Sequence, residues 1–379
     1  MSTEIHGHVA PGFEKARDRF AANFERNDAY REVGAALTVH RGGTLVVDLW
    51  AGSRDAGGQT PWTADTLVNV WSTTKGVTAI ALAVLVDRGL LDYAAPVARY
   101  WPQFAQNGKA DITVSQLLSH QAGLPGFEAP TPLEDFYDWE KVTTRLAGQA
   151  PLWPPGTRNS YHAMTFGFLA GELIRRITGL SPGQFLAREV AGPLNADIFI
   201  GLPQSEEGRV APILAPHKEV PFDPDKMAPE AVAAVSNPAM IPTLPNDRAW
   251  RAAEIPAGNG HATARGLARL YGAVANGGTL DGVRLMRSET VDALAQVQTE
   301  RMDLMLGVAP FWAHGVTLNQ TGIYGPRRTV FGHSGWGGSF GCADTEAKVA
   351  IGYVMNQMGE GIVGDVRATE LCHTIYACL

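Results

Sequence analysis

Ser72 and Lys75 stand three residues apart in the run Val70-Trp71-Ser72-Thr73-Thr74-Lys75-Gly76. Residues i and i+3 share a helix face, so the Lys75 amine reaches the Ser72 hydroxyl if a helix starts here. A serine hydroxyl is a poor nucleophile until an adjacent base takes its proton. Lysine serves as that base once burial lowers its pKa. The partial positive charge of a helix N-terminus pushes the same way and favours an oxyanion beside Ser72. The plain alternative is a helix-capping serine with a surface lysine. Two features argue against it. Ser72 is the only serine in the chain with a lysine three residues on. The following stretch, Val77 to Val86, is apolar on nearly every face, and such a helix is buried, which turns Lys75 inward.

Two further stretches carry chemistry-bearing residues. In Arg158-Asn159-Ser160-Tyr161-His162-Ala163, after the loop signal Pro154-Pro155-Gly156, Tyr161 sits between a loop and a helix. A tyrosine beside a lysine can act as a base, because positive charge stabilises the phenolate. Otherwise it is a half-buried ring with its hydroxyl on the backbone. In Phe331-Gly332-His333-Ser334-Gly335-Trp336-Gly337-Gly338, one strand ends and another begins. Its glycines let backbone or ligand approach closely, and a backbone N–H there can join that of Ser72 on an oxyanion. A glycine-rich turn is the alternative.

The elements that must position these residues follow from periodicity. Phe13 to Glu25 reads as an amphipathic helix. Val33 to His40 and Thr44 to Ala51 flank the hairpin signal Arg41-Gly42-Gly43, and Leu67 to Val70 is a short strand leading to Ser72. Thr113 to Gln116 is a capping box. Further helices are expected at Leu133 to Gly148, Met164 to Thr178, Gly183 to Glu189, Ala264 to Ala275 and Ser288 to Gln296. Strands return at Trp312 to Leu318, Thr329 to His333, Ser339 to Asp344 and Val349 to Met355, before a closing helix, Val363 to Ala377. Nine of the 24 prolines fall between Pro203 and Pro245. That density forbids long helices and marks an irregular covering segment. The chain is expected to be α+β, with one sheet built from both ends. Residues 1–100 and 256–379 would form an α/β domain, with an inserted, mostly helical domain at 101–255. Ser72 would lie at their junction, where clefts form.

Composition narrows the partners. The 379 residues are 45% apolar and 18% charged, with a net charge of −7. That is a globular balance, and the acidic excess argues against nucleic acid and anionic membrane. The first twenty residues lack the apolar core of a signal peptide, and no apolar run spans a bilayer. Three cysteines, Cys342, Cys372 and Cys378, lack metal-ligand spacing; free thiols in a cytoplasmic compartment are expected, with a Cys372–Cys378 pair as the alternative.

Ser-x-x-Lys at a helix start, a tyrosine in the helical region and a His/Lys-Ser/Thr-Gly strand, in this order, resemble the serine β-lactamase and penicillin-binding protein superfamily. The stretches Thr113 to Leu124 and Ala262 to Ala268 support the likeness, which runs from about Val33 to Met355. Within it the chain is most similar to the class C-like branch and there to the family VIII carboxylesterases. The resemblance implies a β-lactamase/transpeptidase-like fold with an antiparallel sheet flanked by helices. It implies Ser72 as the acylated nucleophile and Lys75 with Tyr161 as its base, the tyrosine held as phenolate or bonded to Lys75. The N–H groups of Ser72 and Trp336 would form the oxyanion hole, and His333, Ser334, Gly335 and Trp336 would line the substrate site. No cofactor or metal is implied.

The departures from that pattern point from lactam to ester. The Tyr-x-Asn of β-lactamases is Tyr161-His162-Ala163 here, without the side-chain amide. The signature lysine is His333, mostly neutral at pH 7. Trp336-Gly337-Gly338 looks like the variant found among the esterases, and the aromatics Phe136, Tyr137, Trp139, Trp153, Trp312 and Trp336 are candidate walls for a hydrophobic substrate. No His-Glu-x-x-His occurs. The expected function is therefore hydrolysis of a small-molecule carboxylic ester. β-Lactamase, D-amino acid amidase or peptidase, and acyltransferase activity are alternatives on the same scaffold, and a non-catalytic scaffold is a remote one. Oligomeric state is not legible.

Overall fold

The computed structural model describes residues 3–218, 225 and 227–379. Its strands are β1 (Ile5–Val9), β2 (Gly34–Arg41), β3 (Thr44–Gly52), β4 (Leu67–Asn69), β5 (Ile198–Phe199), β6 (Val210–Ala211), β7 (His261–Ala262), β8 (Thr279–Leu280), β9 (Val283–Arg284), β10 (Thr317–Leu318), β11 (Phe331–Ser334), β12 (Phe340–Asp344) and β13 (Val349–Met355). The main sheet runs β1-β3-β2-β13-β12-β11-β10, every pair antiparallel. β2 lies beside β13, so the two ends of the chain meet at the sheet centre. All seven residues of β13 are buried, and so are all but the last of β2. Such strands lack polar–apolar alternation because both faces are covered.

A helix over Thr73–Asp87 is buried from Thr73 to Leu85, as its all-round apolar surface requires. It packs against β11 and the helices Thr165–Thr178 and Ser288–Leu294. The approach to β11 depends on Gly76: a Cβ there would lie 2.1 Å from Tyr271 Oη and 3.1 Å from His333 Cβ. The helix Ala264–Ala275 lies on β2, β12 and β13, and the closing helix Val366–Tyr376 packs on Glu14–Phe24.

Several expectations need correction. β1 was not foreseen; its residues are mostly exposed, so no alternation marks it. β4, which delivers the chain to Ser72, belongs to a second sheet of order β5-β7-β4-β6. Its partners are two-residue strands, too short for a period-2 signal. The expected helix Leu133 to Gly148 is a 3₁₀ turn, Leu133–Tyr137, and a helix, Trp139–Gly148. Asp138 divides them, its side chain accepting the Lys141 N–H. Gly183 to Glu189 is a short helix, Pro182–Leu186, running into a π turn. Only Thr317–Leu318 of the strand expected at Trp312 to Leu318 forms one.

In the proline-rich stretch the helix Pro229–Ser236 forms; residues 219–224 and 226 lie outside the described residues. Asn237 docks this segment. Its Oδ1 accepts the Thr131 N–H at 2.8 Å, and its Nδ2 donates to Phe127 O at 2.7 Å and Ala129 O at 2.8 Å. Cys342, Cys372 and Cys378 are free thiols. Among the described residues no helix is long and apolar enough to cross a membrane.

Candidate active site

The turn before the helix holds Ser72 under backbone strain. Trp71 adopts φ +43°, a left-handed conformation that costs a bulky residue energy and persists only when its surroundings enforce it. Several bonds do so. The Trp71 N–H donates to Asn69 Oδ1 at 3.0 Å, and the Val70 N–H to Gly260 O at 2.8 Å. Ser339 Oγ donates to Val70 O at 2.9 Å and lies 3.1 Å from Thr73 Oγ1. The Trp71 ring packs between Trp250 and Trp336. Gly335 is part of the same clamp: a Cβ there would lie 2.2 Å from Val70 O. Its lack of a side chain admits the turn that carries Ser72.

Lys75 is fully buried. Its Nζ sits 3.1 Å from Ser72 Oγ, 2.6 Å from Ala163 O and 2.9 Å from Ala257 O. Burial lowers its pKa well below that of a free lysine. A neutral amine has two N–H groups, which match the two carbonyls and leave the lone pair for the Ser72 hydroxyl.

Tyr161 is buried, and Lys75 Nζ lies 4.6 Å from its ring centre. Burial pushes the phenol pKa up, opposed by Ser72. Burial thus shifts the amine down and the phenol up, which disfavours the phenolate, one of the two states expected from the sequence. The polar side chain that bears on the hydroxyl is that of Ser72, while Lys75 meets the ring face.

Tyr161 is placed by a residue that sequence reasoning missed. Buried Asp303 accepts the Tyr161 N–H at 3.0 Å, the Met305 and Leu306 N–H groups, the Asn159 side-chain amide and the Trp312 indole N–H. Trp312 in turn stacks on Tyr161, ring centres 5.5 Å apart and planes within 4°. Nothing in the local sequence Arg301-Met302-Asp303-Leu304 signals this role, because every partner except the loop's own amides comes from elsewhere in the fold.

His333 and Ser334 end β11, both buried. His333 Nδ1 is 2.8 Å from Ser334 O, so Nδ1 carries the proton and Nε2 is an acceptor. Burial takes the His333 pKa down to about 3, so the ring is uncharged at neutral pH. Ser334 Oγ accepts the Gly364 N–H at 3.4 Å. The cavity at Ser72, ≈ 60 Å³, is lined by Trp71, Tyr161, Ala163, Met164, Ala234, Val235, Met240, Met305, Trp336 and Ile362. Of the four residues expected to line the substrate site, Trp336 lines this cavity. Of the six aromatics expected as walls, only Trp336 lines the cavity. Phe136 packs on Phe127 and Phe168, Trp139 on Phe168, and Trp153 beside His162. The wall is instead methionine-rich, and Ala234, Val235 and Met240 come from the proline-rich segment, which therefore covers the site.

The Ser72 and Trp336 N–H groups have no acceptor among the described residues. The Trp336 turn is held by the Gly335 N–H donating to Ser339 O at 2.7 Å and the Gly338 N–H to Gly335 O at 3.1 Å.

The family model described as Beta-lactamase matches residues 20–371. "Esterase/beta-lactamase LipL" of Mycobacterium tuberculosis is 38% identical over 368 residues, 93% of this chain and 83% of the relative. Among solved structures, a family VIII carboxylesterase superposes with TM-score 0.94 at 48% identity, over 99% of this chain and 100% of the other. A penicillin-binding protein homologue from Caulobacter crescentus gives TM-score 0.94 at 42% identity, over 100% of both chains. With the fold expected of that superfamily and a buried Ser72–Lys75 pair at the head of its central helix, this chain belongs to the β-lactamase family of serine hydrolases and is similar in structure to a family VIII carboxylesterase.

Proposed function

We propose that this protein is a serine carboxylesterase acting on small esters with short, apolar acyl groups through a Ser72 acyl-enzyme. The observation that carries this reading is the contact between Ser72 Oγ and the buried Lys75 Nζ. Neutral Lys75 takes the Ser72 proton as Oγ attacks the ester carbonyl. The oxyanion is held by the Ser72 and Trp336 N–H groups. Protonated Lys75 gives that proton to the departing alcohol, with the Tyr161 hydroxyl, which bears on Ser72, hydrogen-bonding the alcohol oxygen. Water then attacks the acyl-enzyme, the same pair takes its proton and returns it to Ser72 Oγ as the acyl–Oγ bond breaks, and the acid leaves. No cofactor enters these steps.

The cavity supports the choice of substrate. Its ≈ 60 Å³ equals about two water molecules at ~30 Å³ each, which suits an acyl chain of a few carbons. Each buried methylene contributes about 0.8 kcal/mol. Outside, Ile241, Met302 and Val363 are exposed and lie within three residues of the lining side chains Met240, Met305 and Ile362, offering an apolar path for the alcohol. Antibiotic hydrolysis is less well served. His333 supplies no charge for a lactam carboxylate, and Ala163 supplies no amide. Free cysteines fit a reducing, cytoplasmic setting.

The test is turnover of p-nitrophenyl esters of two to twelve carbons beside nitrocefin. Fast cleavage of the short esters, weak nitrocefin turnover and loss of both in Ser72→Ala are expected. Nitrocefin turnover faster than any ester would overturn the esterase assignment in favour of a β-lactamase.

A further inference from the structure

Arg367 lies at the start of the closing helix, remote in sequence from all three motifs, and is completely buried. All five of its guanidinium N–H groups are used. Nε donates to Asp365 Oδ1 at 2.8 Å. Nη1 donates to Glu32 Oε2 and Gln357 O, both at 3.0 Å. Nη2 donates to Asp365 Oδ2 and to Gly337 O, both at 2.8 Å. Gly337 is the residue after Trp336, and its carbonyl belongs to the turn that aims the Trp336 N–H.

The surroundings are shaped for this contact. Gly337 O also accepts the Gly359 N–H at 2.8 Å, and the Gly337 N–H donates to Gly361 O at 3.0 Å. Gly338 is at φ +128°, and a Cβ there would lie 3.0 Å from Arg367 Nη2 and 3.0 Å from the Asp365 carboxylate. The turn is therefore seated directly on the ion pair. Glu32, held also by Tyr353 Oη, fixes the far side of the guanidinium. A planar fork held by two acidic side chains holds its fifth direction rigidly.

We propose that Arg367 is a positioning residue for the oxyanion hole, fixing the Gly337 carbonyl and through it the direction of the Trp336 N–H. This rests on the reading that Ser72 is acylated and that the Trp336 N–H meets the oxyanion. Arg367 touches neither substrate nor nucleophile. Its effect falls on the tetrahedral state, where the donor must point at an oxygen that has moved from its place in the ester.

The experiment uses the full chain as wild type, Arg367→Lys and Asp365→Asn, the second loosening the guanidinium without removing it. Each is assayed for kcat, KM and inhibition by a short alkylboronic acid, which forms a tetrahedral adduct on an active serine. Endpoint labelling by a fluorophosphonate is read by intact mass. We expect both variants to label on Ser72. Their kcat and boronate affinity should fall on the order of tenfold or more, since misdirecting an oxyanion donor costs part of the hundredfold or greater effect of removing it. KM should stay within about twofold. A merely structural role would lower the melting temperature but leave the boronate-to-KM ratio unchanged, and that result overturns the proposal. If Arg367→Lys does not fold, Asp365→Asn alone decides it by the same ratio. An unlabelled wild type would instead overturn the Ser72 reading on which the proposal stands.

Discussion

Lys75 is fully buried and binds three oxygens, those of Ser72, Ala163 and Ala257. Desolvation drives its pKa down. The sign of the pH dependence follows. The base works when deprotonated, so kcat/KM should rise with pH on the acid side and level off well before the ordinary lysine range near 10.4. It is lost as pH falls through the lowered pKa. An acid limb that reaches its plateau only near pH 10 would contradict a neutral Lys75. Lys75→Ala and Tyr161→Phe should each reduce kcat by roughly a hundredfold or more. At this scale the sequence was legible where chemistry is local. Ser72 and Lys75 are one helical turn apart, and spacing alone pairs them. Tyr161 lay in a recognisable loop-to-helix step. The methionine wall and Asp303 were not legible, because their meaning comes from chain segments folded together from far apart. The aromatics misled for the same reason: Phe136, Trp153 and Trp312 are buried, and Tyr137 and Trp139 are half-buried against the core.

Elements deliver these side chains by clamping two turns against each other. Ser339, in the turn between β11 and β12, donates to Val70 O and faces Thr73 Oγ1, so it ties the Trp336 turn to the Ser72 turn. Ser339→Ala removes two buried bonds. It should destabilise the protein by about 1–2 kcal/mol and lower kcat at least tenfold with KM nearly unchanged. Chemical denaturation and steady-state kinetics read both, and an unchanged kcat would show that the clamp does not act on catalysis. The strained Trp71 is the other half of this device, since its φ of +43° brings the chain sharply from β4 into the helix. Long, buried elements were readable beforehand: the helix Ala264–Ala275 and the strand Val349–Met355 fall at the expected residues. Two-residue strands and the exposed β1 carry too little pattern, and the division at Asp138 depends on a cap that a continuous apolar pattern hides.

At the level of the whole molecule, the fold buries several histidines in neutral form. Burial takes His162 and His314 down to about 4 and His261 and His333 down to about 3. The unfolded chain takes up these protons near pH 6.5, while the folded chain refuses them until far lower. Their contribution to stability is therefore whole above pH 6.5 and is lost as pH falls toward 4. Each group costs up to about 1.4 kcal/mol per pH unit in that window, against a total stability on the order of 5–15 kcal/mol. Glu32 acts in the opposite sense. Burial raises it to about 8, so its contribution is whole below about pH 4.5 and lost as pH rises through 8. Four histidines outweigh one carboxyl, and the melting temperature should drop steeply between pH 6.5 and 4.5. A flat profile there would mean that these rings are hydrated.

The central claim is that Ser72 is the activated nucleophile. Intact-mass spectrometry after incubation with a fluorophosphonate, followed by peptide mapping, tests it most directly. A single adduct on Ser72, absent in Ser72→Ala and strongly slowed in Lys75→Ala, is the predicted result. No adduct, or an adduct on another residue, would contradict it.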